Sequence, residues 1–150
     1  MKIYVDADAC PVKREVYRVA ERHGLEVLVV ANGWMEVPKR SWIRFELVPG
    51  GFDEADDWIA ERVGPGDLVI SSDIPLAARC VKAGARVLGP KGRVLDEESI
   101  GDALATRDLL DDLRSAGQDT RGPAPFQPKD RSRFLQALES LIQAIKRELG

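Results

Sequence analysis

Apolar residues along the chain gather in short, β-branched runs at residues 3–5, 27–31, 43–48, 68–70 and 86–88, each the length of a strand. The runs are solid rather than alternating, as expected of strands covered by helices on both faces. Between most of them the apolar spacing changes to that of a helix. Residues 11–22 open on Pro11, where a missing N–H is tolerated, and are followed by Gly24; residues 53–63 run into Gly64-Pro65-Gly66; residues 74–83 are stopped by Gly84. This alternation predicts an α/β fold: a single three-layer domain over residues 1–150 with a mainly parallel sheet of about five strands. Past Pro90 the strand pattern fades, so residues 91–150 are expected to be a mainly helical C-terminal portion. Helices are predicted over 95–113 and 134–149, parted by a Pro-rich loop at 117–128. The last helix carries an apolar stripe (Phe134, Leu135, Leu138, Leu141, Ile142, Ile145, Leu149) suited to covering the core, with a dimer interface as the alternative.

Composition narrows the class. At 150 residues the chain makes one ordinary domain. With 44% hydrophobic and 31% charged residues it is neither disordered nor fibrous. No run approaches the roughly 18 apolar residues of a membrane helix, and the first residues enter a strand rather than a secretion signal. A cytoplasmic protein with no membrane partner is therefore expected. Cys10 and Cys80 are too few and too far apart for a disulfide framework or a zinc cluster, and are expected as reduced thiols. His23 is the one histidine, which excludes multi-histidine metal sites; at the predicted end of the first helix it suits a structural cation facing the helix dipole. The net charge of −3 provides no global pull toward nucleic acid, so any such binding requires a local basic face.

The chemistry resides in carboxylates. Ligands of an open parallel sheet bind beyond the carboxyl ends of its strands, and acids follow three of the predicted strands here. Asp6 and Asp8 follow the first, Asp53, Asp56 and Asp57 the third, and Asp73 the fourth. Carboxylates drawn together repel, and a proton or a cation relieves them. Oxygen ligands without imidazole or thiolate favour Mg²⁺ or Mn²⁺ over zinc. The plainer role for Asp53 and Asp73 is to cap the helices they precede, and for Asp57 to lie on a solvated helix face. Asp6 is harder to explain so, since a carboxylate ending a buried strand loses hydration without compensation.

The blocks Asp6-Ala7-Asp8-Ala9-Cys10-Pro11-Val12-Lys13, Asp53-x-x-Asp56-Asp57, Asp73-Ile74-Pro75-Leu76-Ala77 and Gly89-Pro90-Lys91-Gly92, then Arg107 and Gly122-Pro123-x-Pro125-Phe126, closely resemble the YaiI/YqxD family across nearly the whole chain. That family in turn looks like a divergent member of the PIN-like nuclease superfamily. The resemblance implies a PIN-like fold whose metal site is built from Asp6, from Asp56 or Asp57, and from Asp73, with Asp8 and Asp53 as auxiliary acids.

Such acids around Mg²⁺ or Mn²⁺ would suit phosphodiester hydrolysis, with single-stranded or structured RNA as the expected substrate. Flanking phosphates would need cations, for which Lys13, Arg14, Lys91 and Arg93 are the candidates, with Arg121, Lys129, Arg131 and Arg133 a looser group. The glycines of Gly89-Pro90-Lys91-Gly92 would let backbone approach a phosphate. Trp34, Trp42 and Phe126 could stack on bases, although core anchoring is the commoner use. A non-catalytic RNA- or nucleotide-binding module is the main alternative. A phosphatase of the haloacid-dehalogenase type, suggested by Asp6-Ala7-Asp8, is disfavoured because the acidic pair Asp56-Asp57 precedes Ser71 and Ser72, the reverse of that family's order.

Overall fold

The computed structural model describes residues 1–115 and 125–150. Its strands are β1 (Lys2–Asp6), β2 (Glu26–Ala31), β3 (Ile43–Leu47), β4 (Leu68–Ile70), β5 (Arg86–Leu88) and β6 (Val94–Leu95). Its helices are α1 (Lys13–His23), α2 (Phe52–Arg62), α3 (Ile74–Lys82), α4 (Glu97–Ser115) and α5 (Pro128–Leu149). The strands form one sheet in the order β3-β2-β1-β4-β5-β6, parallel from β3 through β5, with β6 antiparallel to β5.

The solid apolar runs resolve into two faces once they are in the sheet, because successive side chains point opposite ways. Ile3, Val5, Val27, Val29 and Ile70 enter one core with residues of α1 and α5. Tyr4, Leu28, Val30, Val69 and Val87 enter the other with residues of α2, α3 and α4. The result is the three-layer α/β arrangement that the alternation of elements predicts. Each fully buried Leu or Ile contributes about 1.5–3 kcal/mol on this account.

Several boundaries differ from the sequence expectation: α1 starts at Lys13 with Val12 as its N-cap, so Pro11 lies in the turn before the helix instead of opening it, and the larger differences fall in the second half of the chain. Val94 and Leu95 form a sixth strand where the sequence predicts a helix from Leu95, since a tight turn folds them back on β5: Gly89 N–H donates to Arg93 O at 2.8 Å and Gly92 N–H to Gly89 O at 3.0 Å. Asp96 and Ser99 then bond each other's backbone N–H, both at 2.9 Å, and start α4 at Glu97. The last helix begins at Pro128, six positions before residue 134, because Gln127 and Asp130 form a capping box with Pro at the helix start. Most of its stripe is buried against the sheet, with Phe134, Leu138 and Ile142 at 0% exposure, whereas Leu135 is half-buried and Leu149 at the helix end is exposed. Residues 117–124 of the predicted Pro-rich loop, including Arg121, Gly122 and Pro123, lie outside the described residues, as does the side chain of Arg107.

From β1 the chain crosses to β2 on one side, and from β4 it crosses to β5 on the other, although β1 and β4 are neighbours. The loops leaving these two strands therefore diverge and open a crevice at their carboxyl ends, the switch point where ligands of open α/β sheets bind. Among the described residues no helix is long and apolar enough to cross a membrane.

Candidate active site at the switch point

Asp6 is the last residue of β1, and Ser71, 2% exposed, is the first after β4. Ser71 Oγ donates to Asp6 Oδ2 at 2.8 Å and accepts from the backbone N–H of Asp73 at 3.0 Å. Asp73 caps α3, its Oδ1 accepting from the Leu76 N–H at 2.9 Å. Asp8 lies in a single 3-10 turn, Ala7–Ala9, and both its carboxylate oxygens accept from the Asn32 N–H, each at 3.1 Å. On α2, Ala55 and Ile59 are buried in the second core, and this rotation turns Asp56 toward the crevice. Asp6, Asp8, Asp56, Asp73, Ser71, Ser72 and Pro90 line a cavity of about 200 Å³.

The carboxylates perturb one another. Burial, then the charges of Asp73 and Asp6 and a hydrogen bond with Asp73, push the Asp56 carboxyl up to about 7. Asp6 is raised as well, chiefly by burial, with repulsion from Asp73 and Asp8 adding to it and the Ser71 hydrogen bond opposing it. Without a cation the cluster thus relieves its repulsion by keeping a proton between Asp56 and Asp73. Among the described residues, no three acidic, thiol or imidazole side chains are arranged to hold a metal ion as they stand.

The structure brings Asp6, Asp8, Asp56 and Asp73 together and places the other two acids elsewhere. Asp57 forms an ion pair with Arg79 of α3, Nη1 to Oδ1 at 2.6 Å, because neighbouring positions on a helix diverge by about 100°. Asp53 is exposed in the first turn of α2 and reaches the pocket only as a minor repulsion on Asp56. It is not the helix cap, which is Gly51; α2 starts one residue early, at Phe52.

The candidate cations are dispersed around this centre. Lys13 donates from Nζ to Cys10 O at 2.9 Å. Arg14 is exposed in the first turn of α1. Lys91 and Arg93 lie in the turn joining β5 to β6, where Arg93 Nη2 reaches Ser99 O at 3.5 Å. Gly92 has φ +91°, and a Cβ there would stand 2.8 Å from the backbone C and O of Arg133, so close packing on α5 requires this glycine. Arg131 pairs with Glu15 at 3.4 Å and lies over the Phe126 ring. Trp42 and Phe126 pack against the first core, whereas Trp34 is 76% exposed.

His23 is structural, but neutral rather than cationic. Lys146 Nζ lies 3.0 Å from its Nδ1 and Glu139 Oε2 lies 2.7 Å from its Nε2, so the ring accepts at one nitrogen, donates at the other, and links α1 to α5. Burial first, then Lys146 and Arg22, lower its pKa. Cys10 and Cys80 are buried free thiols, the second pushed up to about 12 by burial. Sequence reasoning missed Ser71 and Asn32 as the groups holding Asp6 and Asp8. Ser71-Ser72 between a strand and a capping Asp was the available signal for the first; Asn32 had none, since its role depends on β2 lying beside β1.

Fold and pocket define an α/β protein with an acidic cleft at the switch point of its parallel sheet. The chain belongs to the YaiI/YqxD family: the family model described as "Uncharacterized BCR, YaiI/YqxD family" matches residues 4–144. It is 60% identical to a UPF0178 protein of Rhodopseudomonas palustris strain HaA2 over 146 residues, 97% of this chain and 89% of that protein. A UPF0178 protein of Azorhizobium caulinodans is 60% identical over 97% of this chain and 91% of its own length. One of Nitrobacter winogradskyi is 57% identical over 98% and 94%. No solved structure matches the chain.

Proposed function

We propose that the switch-point pocket is a Mg²⁺- or Mn²⁺-dependent phosphodiesterase centre acting on RNA. The observation that carries this reading is the convergence of Asp6, Asp8, Asp56 and Asp73 on one cavity, where burial first and then the neighbouring charges push Asp56 up to about 7. A cluster that raises its own proton affinity also favours a cation in that proton's place. The positions of Asp6 after the first strand, Asp56 in a middle helix and Asp73 after the fourth strand follow the PIN-like pattern that the sequence resembles.

The donor set is all oxygen and anionic, which fits a hard divalent ion. Asp6, Asp56 and Asp73 would hold it, with Asp8 auxiliary, after the proton between Asp56 and Asp73 is released. Bound there, the ion would polarise the scissile phosphate and acidify a water. Ser71 keeps Asp6 aimed into the cavity, and the α3 cap fixes Asp73. Arg14, Lys91 and Arg93 are the candidates for flanking phosphates.

The test is incubation of purified protein with mixed single-stranded and structured RNA plus Mn²⁺, beside Asp6→Asn and Asp73→Asn. Asparagine caps helices as well as aspartate, so α3 survives the second change. Cleavage should disappear in both variants; cleavage that persists would overturn the assignment. The hydrogen bonds that already engage Asp6, Asp8 and Asp73 favour a second reading, a non-catalytic RNA- or nucleotide-binding module. Thermal denaturation separates the two, since an ion bound to the folded state raises its stability. The enzyme reading requires a Mn²⁺-dependent rise in melting temperature that Asp6→Asn loses; an unchanged melting curve favours the module.

A further inference from the structure

The β3 edge of the sheet is open, and its sequence is complementary to itself. β3 pairs in parallel with β2 on one side and, among the described residues, has no strand on the other. Val27 N–H donates to Trp42 O at 2.8 Å and Val48 N–H to Ala31 O at 2.9 Å, so the even-numbered residues of β3 bond to β2. Ile43, Phe45 and Leu47 consequently turn their backbone groups outward. The Ile43 N–H is taken by Arg40 O at 3.1 Å, which leaves the N–H groups of Phe45 and Leu47 and the three carbonyls along the edge. Edges of this kind are usually blunted by charge of one sign, by proline or by a covering loop. Here Ile43-Arg44-Phe45-Glu46-Leu47 carries one charge of each sign, placed symmetrically about an aromatic residue.

We infer that β3 is the docking strand for a second copy of this chain, pairing antiparallel with its twin about a two-fold axis at Phe45. That axis sets Phe45 against Phe45, Ile43 against Leu47, and Arg44 against Glu46 of the second copy. Residues 43, 45 and 47 fall in hydrogen-bonded positions, so the outward N–H groups of Phe45 and Leu47 meet the carbonyls of Phe45 and Ile43 across the axis. Arg44 and Glu46 fall in the closer, non-hydrogen-bonded positions, where opposite charges attract most. Leu47, 48% exposed, is covered. Arg44 now pairs with Glu26 of β2 at 3.2 Å and stays on the same sheet face in the dimer, within reach of both carboxylates. A two-fold interface requires a self-complementary patch, and this register matches every side-chain pair at once, with the Leu47 carbonyl the one edge group left to solvent because Arg40 O already holds the Ile43 N–H. The two sheets join into one, with an acidic pocket in each copy.

Sedimentation and native mass spectrometry on the intact chain test this by charge reversal. The wild type should dimerise in the micromolar range. Arg44→Glu and Glu46→Arg should each weaken self-association at least about tenfold, because two symmetry-related pairs become repulsive together. The doubly reversed R44E/E46R should dimerise again. Mixing the two single variants should yield a one-to-one heterodimer, since one then carries acids and the other bases at both positions, and each cross-strand pair joins opposite charges. Circular dichroism confirms that each variant is folded, and Leu47→Pro, which removes an outward N–H from an edge strand that tolerates proline, should be monomeric. A wild type that stays monomeric, single variants that associate as well as it does, or failure of the mixture to pair would each overturn the inference.

Discussion

Replacing Asp56 by Asn should stabilise the protein, and only where Asp56 would otherwise ionise. In the folded chain this carboxyl is held at about 7, against 3.8 in water. At 1.36 kcal/mol per pKa unit the folded state favours its protonated form by about 4 kcal/mol. Asp56 is only half-buried, so solvent reduces both the burial penalty and the repulsion and leaves ~1–2 kcal/mol. The folded pKa is raised, so the stability associated with the proton is complete below about pH 4 and lost as the pH rises through about 7. Asparagine keeps a donor toward Asp73 and cannot ionise. At pH 8 in chelator, Asp56→Asn should therefore melt ~3–6 °C above the wild type, at the few degrees per kcal/mol typical of this size. At pH 4 the difference should shrink to about a degree, because both side chains are then neutral. Asp6, raised in the same direction, leaves both proteins a shared residual slope. Calorimetric melts at the two pH values decide the matter. Equal melting temperatures at pH 8, or a gain of the same size at pH 4, would refute the claim that burial and the neighbouring carboxylates together penalise ionised Asp56 in the folded state.

Gly92→Ala should destabilise the fold by ~3 kcal/mol, since the added methyl meets Arg133 backbone at 2.8 Å in addition to the strain at φ +91°. Gly24→Ala, at φ +67° with open space around it, should lose only ~1–2 kcal/mol, and urea titration of the pair separates collision from backbone strain. Asp130→Ala removes one half of the α5 capping box from a buried position and should lower stability by ~1–2 kcal/mol, again by urea titration. Asp130→Asn, which retains an acceptor for the Gln127 N–H, should recover most of that loss.

The chain determined locally what depends on neighbours in sequence. Its apolar runs fix the strands, Gly24 and Gly84 close two of the helices, and acids placed directly after strands mark the carboxyl edge of a parallel sheet as the place to look. Asp73 was recognisable as a cap because capping involves only the next three residues. The turn that makes β6 and the early start of α5 were also local, carried by Gly89, Gly92, Gln127 and Asp130, but their signals are weaker than hydrophobic period and were overridden by it.

Tertiary structure decided the rest, for a physical reason common to each case. Whether Asp56 or Asp57 faces the cleft depends on how α2 is rotated, and burial of Ala55 and Ile59 in the second core sets that rotation. Whether Asp6 and Asp73 share a cavity depends on β1 lying beside β4, a pairing of residues 65 positions apart such as Ile3 with Leu68. The charge state of His23 depends on Lys146, brought to it by α5. Strand order and helix rotation are chosen by the packing of the whole core, and residues distant in the chain meet only after that choice. The sequence alone therefore specified a set of acids at strand ends; the folded sheet selected which of them share one pocket.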